Sequence, residues 1–382
     1  MGQYLSGLTL TQILAISMNG FRRWARTNWY DTSDTDYNGG GTPVHILWSK
    51  QPTADVAGGT YYDIFFTDAN NGWTVGYNGS AGVLWKTVNG GTLWTNELDT
   101  ISEYDIDAIN SVFFIDANNG WLACQGGNTY PNGLILRTTN GGSTWLTGST
   151  VELFEFFPTF TSIHFVDTLS GHCVGYTSSN GVVILNTVDG GINWTTGTSA
   201  TQIEVGRSVH FADALNGWIA GSNSLGDLIV IHTVDGGINW SGQTLPSTDG
   251  AFKEIFFVDE NVGYVVGYGS VSCLMFKTID GGTTWTDVTS LPFLGETNES
   301  ALNDVFFLNA LTGWTVGYYY DPDYNDLALI LFTEDGGTTW TQQIPAIANG
   351  SLEGVNFVDI EHGWAAGIDE STGDIISAIL KY

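Results

Sequence analysis

Basic residues are scarce in this chain: 10 Lys and Arg stand against 40 Asp and Glu, for a net charge of -30. So acidic a body repels nucleic-acid backbones and anionic membrane surfaces, leaving proteins, neutral glycans and cations as partner classes. Cysteine is scarce too. Cys124, Cys173 and Cys273 are an odd set without CxxC or Cys/His ligand spacing, which argues against a disulfide framework or a zinc site and predicts three buried free thiols. Long apolar runs are missing: the one within Met1 to Met18 is too short and too rich in Thr and Gln to span a bilayer. Arg22, Arg23 and Arg26 follow that run instead of preceding it, the reverse of the order in a secretory signal, so the chain is expected to be made without one or to begin at a processed end. Charged residues make up only 13% of the whole, which leaves little room for long amphipathic helices.

What the chain has in abundance is glycine and tryptophan, 50 and 15 residues, in a repeated arrangement. The pattern Thr-x-Asp/Asn-Gly-Gly-x-x-Trp begins at Thr87, Thr138, Thr187, Thr233, Thr278 and Thr333. Starts roughly 50 residues apart indicate one supersecondary unit per period. Thr and Asp/Asn side chains can bond nearby backbone groups and the paired glycines accept positive φ, so each motif reads as a rigid turn followed by a strand.

Around the motif every unit runs alike: an apolar strand ending in Asp or Asn, a turn into Gly-Trp or its variant, two further strands, the Thr-to-Trp turn, and a fourth strand. The first strand recurs at Ile64-Phe65-Phe66, Phe113-Phe114, His164-Phe165, His210-Phe211, Phe256-Phe257, Phe306-Phe307 and Asn356-Phe357, which makes seven units. The seventh stops at its third strand. Its missing fourth strand is found near the other end, where Trp48-Ser49-Lys50-Gln51 aligns with Trp340-Thr341-Gln342-Gln343. The fold class expected is therefore all-β, a seven-bladed β-propeller of four-stranded blades closed by pairing residues 43-50 with 374-381, which protects the sheet edges.

The repeated turn resembles the Asp-box hairpin of bacterial sialidase-type propeller repeats. The longer pattern, an apolar strand ending in Asp with Gly-Trp and then Asp-Gly-Gly-x-x-Trp, is most similar to photosystem II assembly and stability factor-like propellers over residues 43-382. Sialidase likeness implies three arginines gripping a carboxylate, together with a Tyr/Glu nucleophile pair, whereas the body has only Arg137 and Arg207. The assembly-factor likeness implies an arginine-rich patch, which the sequence equally lacks. No catalytic set can be assembled, so an enzyme is not expected; no cofactor is expected either.

Two organisational regions follow: an attachment segment and linker at 1-40, and the propeller at 41-382. In the first, Leu10, Ile13, Leu14 and Phe21 recur near helical spacing beside Arg22, Arg23 and Arg26, an expected assembly device. In the second, carboxylates near first-strand starts, Asp63, Glu254, Asp304 and Glu353, with Arg207 and Lys253, are candidate ligands at a channel rim, Glu353 falling one position out of register. The insertion bearing Tyr319, Tyr320, Asp321, Asp323, Tyr324 and Asp326 combines stacking faces with acceptors and is a candidate binding surface. A second aromatic cluster, Phe154, Phe156, Phe157 and Phe160, suggests a contact surface or a satellite core. The leading expectation is a non-enzymatic structural or binding module in an extracellular assembly, a virion appendage, surface filament or surface layer. Its partners would be copies of itself or other subunits, with glycans or cations open, and its location extracellular, cell-surface or virion. The alternatives are a carbohydrate-binding or glycoside-hydrolysing propeller and an assembly chaperone like the photosystem II factors.

Overall fold

The computed structural model describes residues 48-51, 59-127, 133-148, 158-178, 181-198, 202-270, 272-289, 299-321, 323-347, 349-371 and 375-382. The attachment segment with Leu10, Ile13, Leu14, Phe21, Arg22, Arg23 and Arg26 lies outside these residues, as do Phe154, Phe156 and Phe157.

The first strands of blades 1 to 7 are Thr60–Phe66, Ile106–Phe114, Pro158–Phe165, Val205–Phe211, Ala251–Phe257, Ser300–Phe307 and Gly350–Asp359. Each opens an antiparallel four-stranded sheet, with blades 2 and 3 also joined by a bridge between Thr159 and Gln125. Each first strand packs against the first strand of the next blade, and that of blade 7 packs against that of blade 1, so the ring is closed. Blade 7 is completed from both directions along the chain: Ser49 pairs with Lys381 and Lys50 with Leu380. Residues 43-47 of the expected closing strand fall outside the described residues.

The Asp-box is built as the sequence implies. In blade 5, Thr278 Oγ1 donates to Asp280 Oδ1 at 2.9 Å and accepts from Gly282 N at 2.8 Å, while Asp280 Oδ1 accepts from Thr284 N at 2.8 Å. Gly281 and Gly282 have φ of 68° and 85°, a left-handed pair that a side chain would strain. The box is tied to the first turn of its own blade by Gly281 N donating to Asn261 O at 2.9 Å.

Packing between blades follows one rule around the ring. The aromatic residue after the second-strand glycine stacks on the phenylalanine ending the next blade's first strand, as Trp73 does on Phe114 at 3.6 Å and Trp364 on Phe66 at 3.5 Å. His172 and Tyr264 take the tryptophan's place, stacking on Phe211 and Phe307. The box tryptophan meets the same phenylalanine edge-on, as Trp145 meets Phe114. In blade 7 Trp48 fills that role against Phe357, at 5.7 Å and 89°, so a residue far away in sequence supplies the missing box tryptophan. The cysteines are buried free thiols, as expected.

The scarce cations are drawn into these seams. Lys86, Lys277 and Lys381 donate to Gly141, Gly336 and Gly90 carbonyls of the following blade's box at 2.6 to 2.8 Å. Arg137 occupies the equivalent strand position opposite Trp121, away from the axis.

Candidate functional site

The axial channel is lined by the first strands, and every one carries a β-bulge at the same register. The bulged residues are Tyr62, Asn110, Thr161, Arg207, Lys253, Asn303 and Glu353. The residues one step inward are Asp63, Ser111, Ser162, Ser208, Glu254, Asp304 and Gly354. The expected rim set therefore divides into two tiers. Arg207, Lys253 and Glu353 belong to the outer one, and Asp63, Glu254 and Asp304 to the inner one.

The inner tier staples blade to blade. Asp63 accepts from Ile64 N through Oδ1 at 2.7 Å and from Val112 N of blade 2 through Oδ2 at 2.9 Å. Asp304 repeats this with Val305 N at 2.6 Å and Val355 N of blade 7 at 2.7 Å. Ser162 and Ser208 do the same work uncharged, each accepting from the next blade's amide, Val209 N and Ile255 N, at 3.2 Å. Glu254 accepts from Ser208 Oγ and from Ile255 N, the latter at 3.2 Å. At Gly354 a Cβ would lie 3.2 Å from Asp63 Cα and Ile64 N, so the backbones of blades 7 and 1 approach closely there.

Burial disfavours charge on these carboxyls. It pushes Asp304 up to about 7, against the Val355 amide that favours the anion, and the neighbouring Asp63 charge adds to the rise. Glu254 is held well above the usual carboxylate range by burial and then by the charge of Asp304, and Asp63 is raised by burial. Among the described residues no three His, Cys, Asp or Glu side chains are grouped so as to hold a metal ion.

Two residues further along the strands lies an aromatic ring that the sequence reading did not single out. Phe65, Phe113, His164, His210, Phe256 and Phe306 follow one another at 4.5 to 5.4 Å, with interplanar angles of 46° to 54°. Those angles are close to the one-seventh of a turn that a seven-bladed ring imposes. Burial lowers both histidines, His210 to about 3, so this tier is uncharged at neutral pH.

The outer tier opens onto the end of the propeller opposite the Asp-boxes. Arg207 lies 5.4 Å over the Tyr176 ring and Lys253 5.9 Å over that of Tyr268. Glu353, on blade 7, is hydrogen-bonded by Ser351 Oγ at 2.6 Å and lies within electrostatic reach of both Tyr62 and Tyr318. Of the insertion residues, Tyr319 and Tyr320 continue the second strand, Gly313–Tyr320, and Asp326 begins the third. Asp321 caps the hairpin tip, accepting from Asp323 N at 2.8 Å and Asn325 N at 2.9 Å. Tyr324 at the tip is 83% exposed with φ of 63°. The insertion is thus a lengthened hairpin, not a separate loop. Tyr62 and Tyr268 were not singled out in the sequence; the signal that finds them is equality of register between units.

The comparisons with known proteins agree with this architecture. The family model described as Photosynthesis system II assembly factor YCF48 matches residues 47-159 and 240-346, more than half of the chain. Among solved structures, YCF48 bound to D1 peptide has a TM-score of 0.63 at 20% identity, covering 88% of this chain and 97% of that one. YCF48 from Cyanidioschyzon merolae gives 0.60 at 19%, covering 88% and 98%. The GH74 enzyme of Niastella koreensis gives 0.63 at 15%, covering 85% of this chain and 54% of that chain. At these identities the likenesses speak for the fold alone. No curated protein matches the sequence. The expected extracellular, cell-surface or virion location is overturned, because the matching family is described by its part in assembling a photosynthetic complex, and the expected role in a virion appendage, filament or surface layer loses its support with it. By the extent of the family match, borne out by the ring of seven blades with its six Asp-boxes, this chain belongs to the Photosynthesis system II assembly factor YCF48 family.

Proposed function

We propose that this protein is a non-enzymatic, protein-binding propeller that takes part in assembling a partner, in the manner its family's description states. The observation that carries the non-enzymatic half is the state of the inner carboxylates. A hydrolase of glycosides needs one carboxyl to deliver a proton and a second to attack or activate water. Asp63 and Asp304 instead have both oxygens occupied by backbone amides of their own and the following blade. Their raised pKa values follow from their place in the seams, without any need for substrate chemistry. The binding half rests on family membership and on a relative solved as YCF48 bound to D1 peptide.

Incubation of the full chain with xyloglucan and sialosides, with new reducing ends and free sialic acid measured, should show no turnover. Binding of D1 peptide or cross-linking to an identified assembly client, quantified in solution, should be saturable. Hydrolysis abolished by Asp304→Asn would replace this reading with an enzymatic one.

A further inference from the structure

The face of the ring that carries the Asp-boxes is uneven in a way the fold does not require. In blade 3, Leu169 of the first turn lies beside the box, whose Gly190 N donates to its carbonyl at 2.8 Å, and Val188 and Ile192 fill two of the variable box positions. Leu215, Val234 and Ile238 repeat this in blade 4, where Gly236 N donates to Leu215 O at 3.0 Å. These six side chains are 48% to 82% exposed. The two blades adjoin there, Thr198 Oγ1 of blade 3 donating to Ile238 O of the next box. Blade 2 is the internal control. Asn118, Thr139 and Ser143 occupy the same three positions, yet Gly142 N and Thr144 N donate to Thr138 Oγ1 and Asn140 Oδ1 as their counterparts do in blade 3. The turn therefore does not need the apolar residues of blades 3 and 4, and three per blade on adjacent blades form a patch of the kind that marks a contact surface.

An occupant of matching chemistry is in the same chain. Trp48 holds the place of a box tryptophan and Ser49 and Lys50 pair with the end of the third strand, so the chain enters the ring on the box face, with residues 1-47 before it. In that stretch Leu10, Ile13, Leu14 and Phe21 recur near helical spacing, followed by Arg22, Arg23 and Arg26. The patch answers both halves of this sequence: beside its apolar side chains stand the carboxylates of Asp167, Asp189, Asp213 and Asp235, all at least partly exposed. Residues 27-47 span about 70 Å when extended. That is enough to cross a ring whose blades are four strands deep at about 4.8 Å per strand. We propose that residues 10-26 dock on the box face of blades 3 and 4 of their own molecule, the four apolar side chains covering the patch and the three arginines meeting its aspartates. The tether makes the encounter intramolecular, at an effective concentration on the order of millimolar, which favours the segment's own propeller over that of a second copy. The inference is independent of the protein-binding reading and concerns the face opposite the channel mouth.

The test is digestion of the full chain with trypsin under native conditions, with cleavage after Arg22, Arg23 and Arg26 timed by mass spectrometry. Cleavage there should be about tenfold slower than in a synthetic peptide of residues 1-47. The protection should persist on dilution and weaken in high salt. Val188→Asp with Val234→Asp should bring the rate to that of the peptide, while Val88→Asp, at the same box position in blade 1, should leave it slow. Val188→Thr with Val234→Thr copies Thr139 of blade 2 and so keeps the turn; it should also speed cleavage, with an unchanged melting temperature. Wild-type cleavage as fast as that of the peptide, or protection indifferent to both paired substitutions, would overturn the proposal. Protection that fades on dilution as the mass in solution falls from two copies to one would assign the patch to a second copy and overturn it equally.

Discussion

Aspartate does opposite things at the two ends of this molecule. In the Asp-boxes, Asp235 is partly exposed and accepts from Asn239 N at 2.9 Å, with Asn239 Nδ2 and Thr233 Oγ1 also donating to it. That amide, with the side-chain donors behind it, brings its carboxyl down to about 2. In the channel, Asp304 also accepts two amides, yet burial lifts it to about 7. Backbone amides donate to both carboxyls and yet the shifts are opposite, because solvent supports the anion in one place and burial with neighbouring like charges opposes it in the other. The linkage signs follow. Asp235 contributes stability that is present above the unfolded carboxylate range and lost as pH falls through about 2. Asp304 contributes stability that is full below that range and lost as pH rises through about 7.

Three variants sharpen or break this contrast. The largest effect belongs to the box itself: Gly336→Ala with Gly337→Ala forces side chains onto φ of 67° and 77°, and the first Cβ would lie 2.6 Å from Ala310 O. We expect a loss of about 3 kcal/mol, measured by denaturant unfolding and nearly independent of pH. Next, Asp304→Asn should stabilise the fold by about 2 kcal/mol near pH 8 and leave it unchanged near pH 3. A loss at both pH values would show that the anion is needed at the seam and would dissolve the contrast. The smallest is Ser162→Ala, which leaves Val209 N without its seam acceptor. It should cost about 1 kcal/mol at every pH, because the serine joint carries no charge.

Most of the architecture was legible because each blade repeats its own instructions. The Thr, Asp/Asn and paired Gly of every box specify a local turn, and local hydrogen bonds need no knowledge of neighbours. Even the closure was readable, since Trp48-Ser49-Lys50 carries the signature of a fourth strand, and Trp48 does pack where a box tryptophan belongs. The channel was only half legible. Asp63, Glu254 and Asp304 stood out as acids near strand starts, but their task is set by the next blade's amides, which no single unit's sequence displays. Glu353 lies near the same strand starts but one position out of register, and that one position is the bulge, which puts it in the outer tier. The expected location failed for a different reason: few lysines and many Thr, Asn, Gly and Trp describe a β surface, and say nothing of a compartment.

The joint between Ser49 and Lys381 bridges 332 residues of chain. A ring fastened that way has an order of events built into it. Blades 1 to 6 can form their sheets as each stretch of about 50 residues leaves the ribosome, but the last sheet must wait for Ile376–Lys381 to be made. Until then the stacking face of Trp364 and that of its partner Phe66 are both uncovered. Completion is a late, long-range step with slow loop closure ahead of it, so nascent or truncated chains of this protein are the species most exposed to aggregation and to chaperone capture.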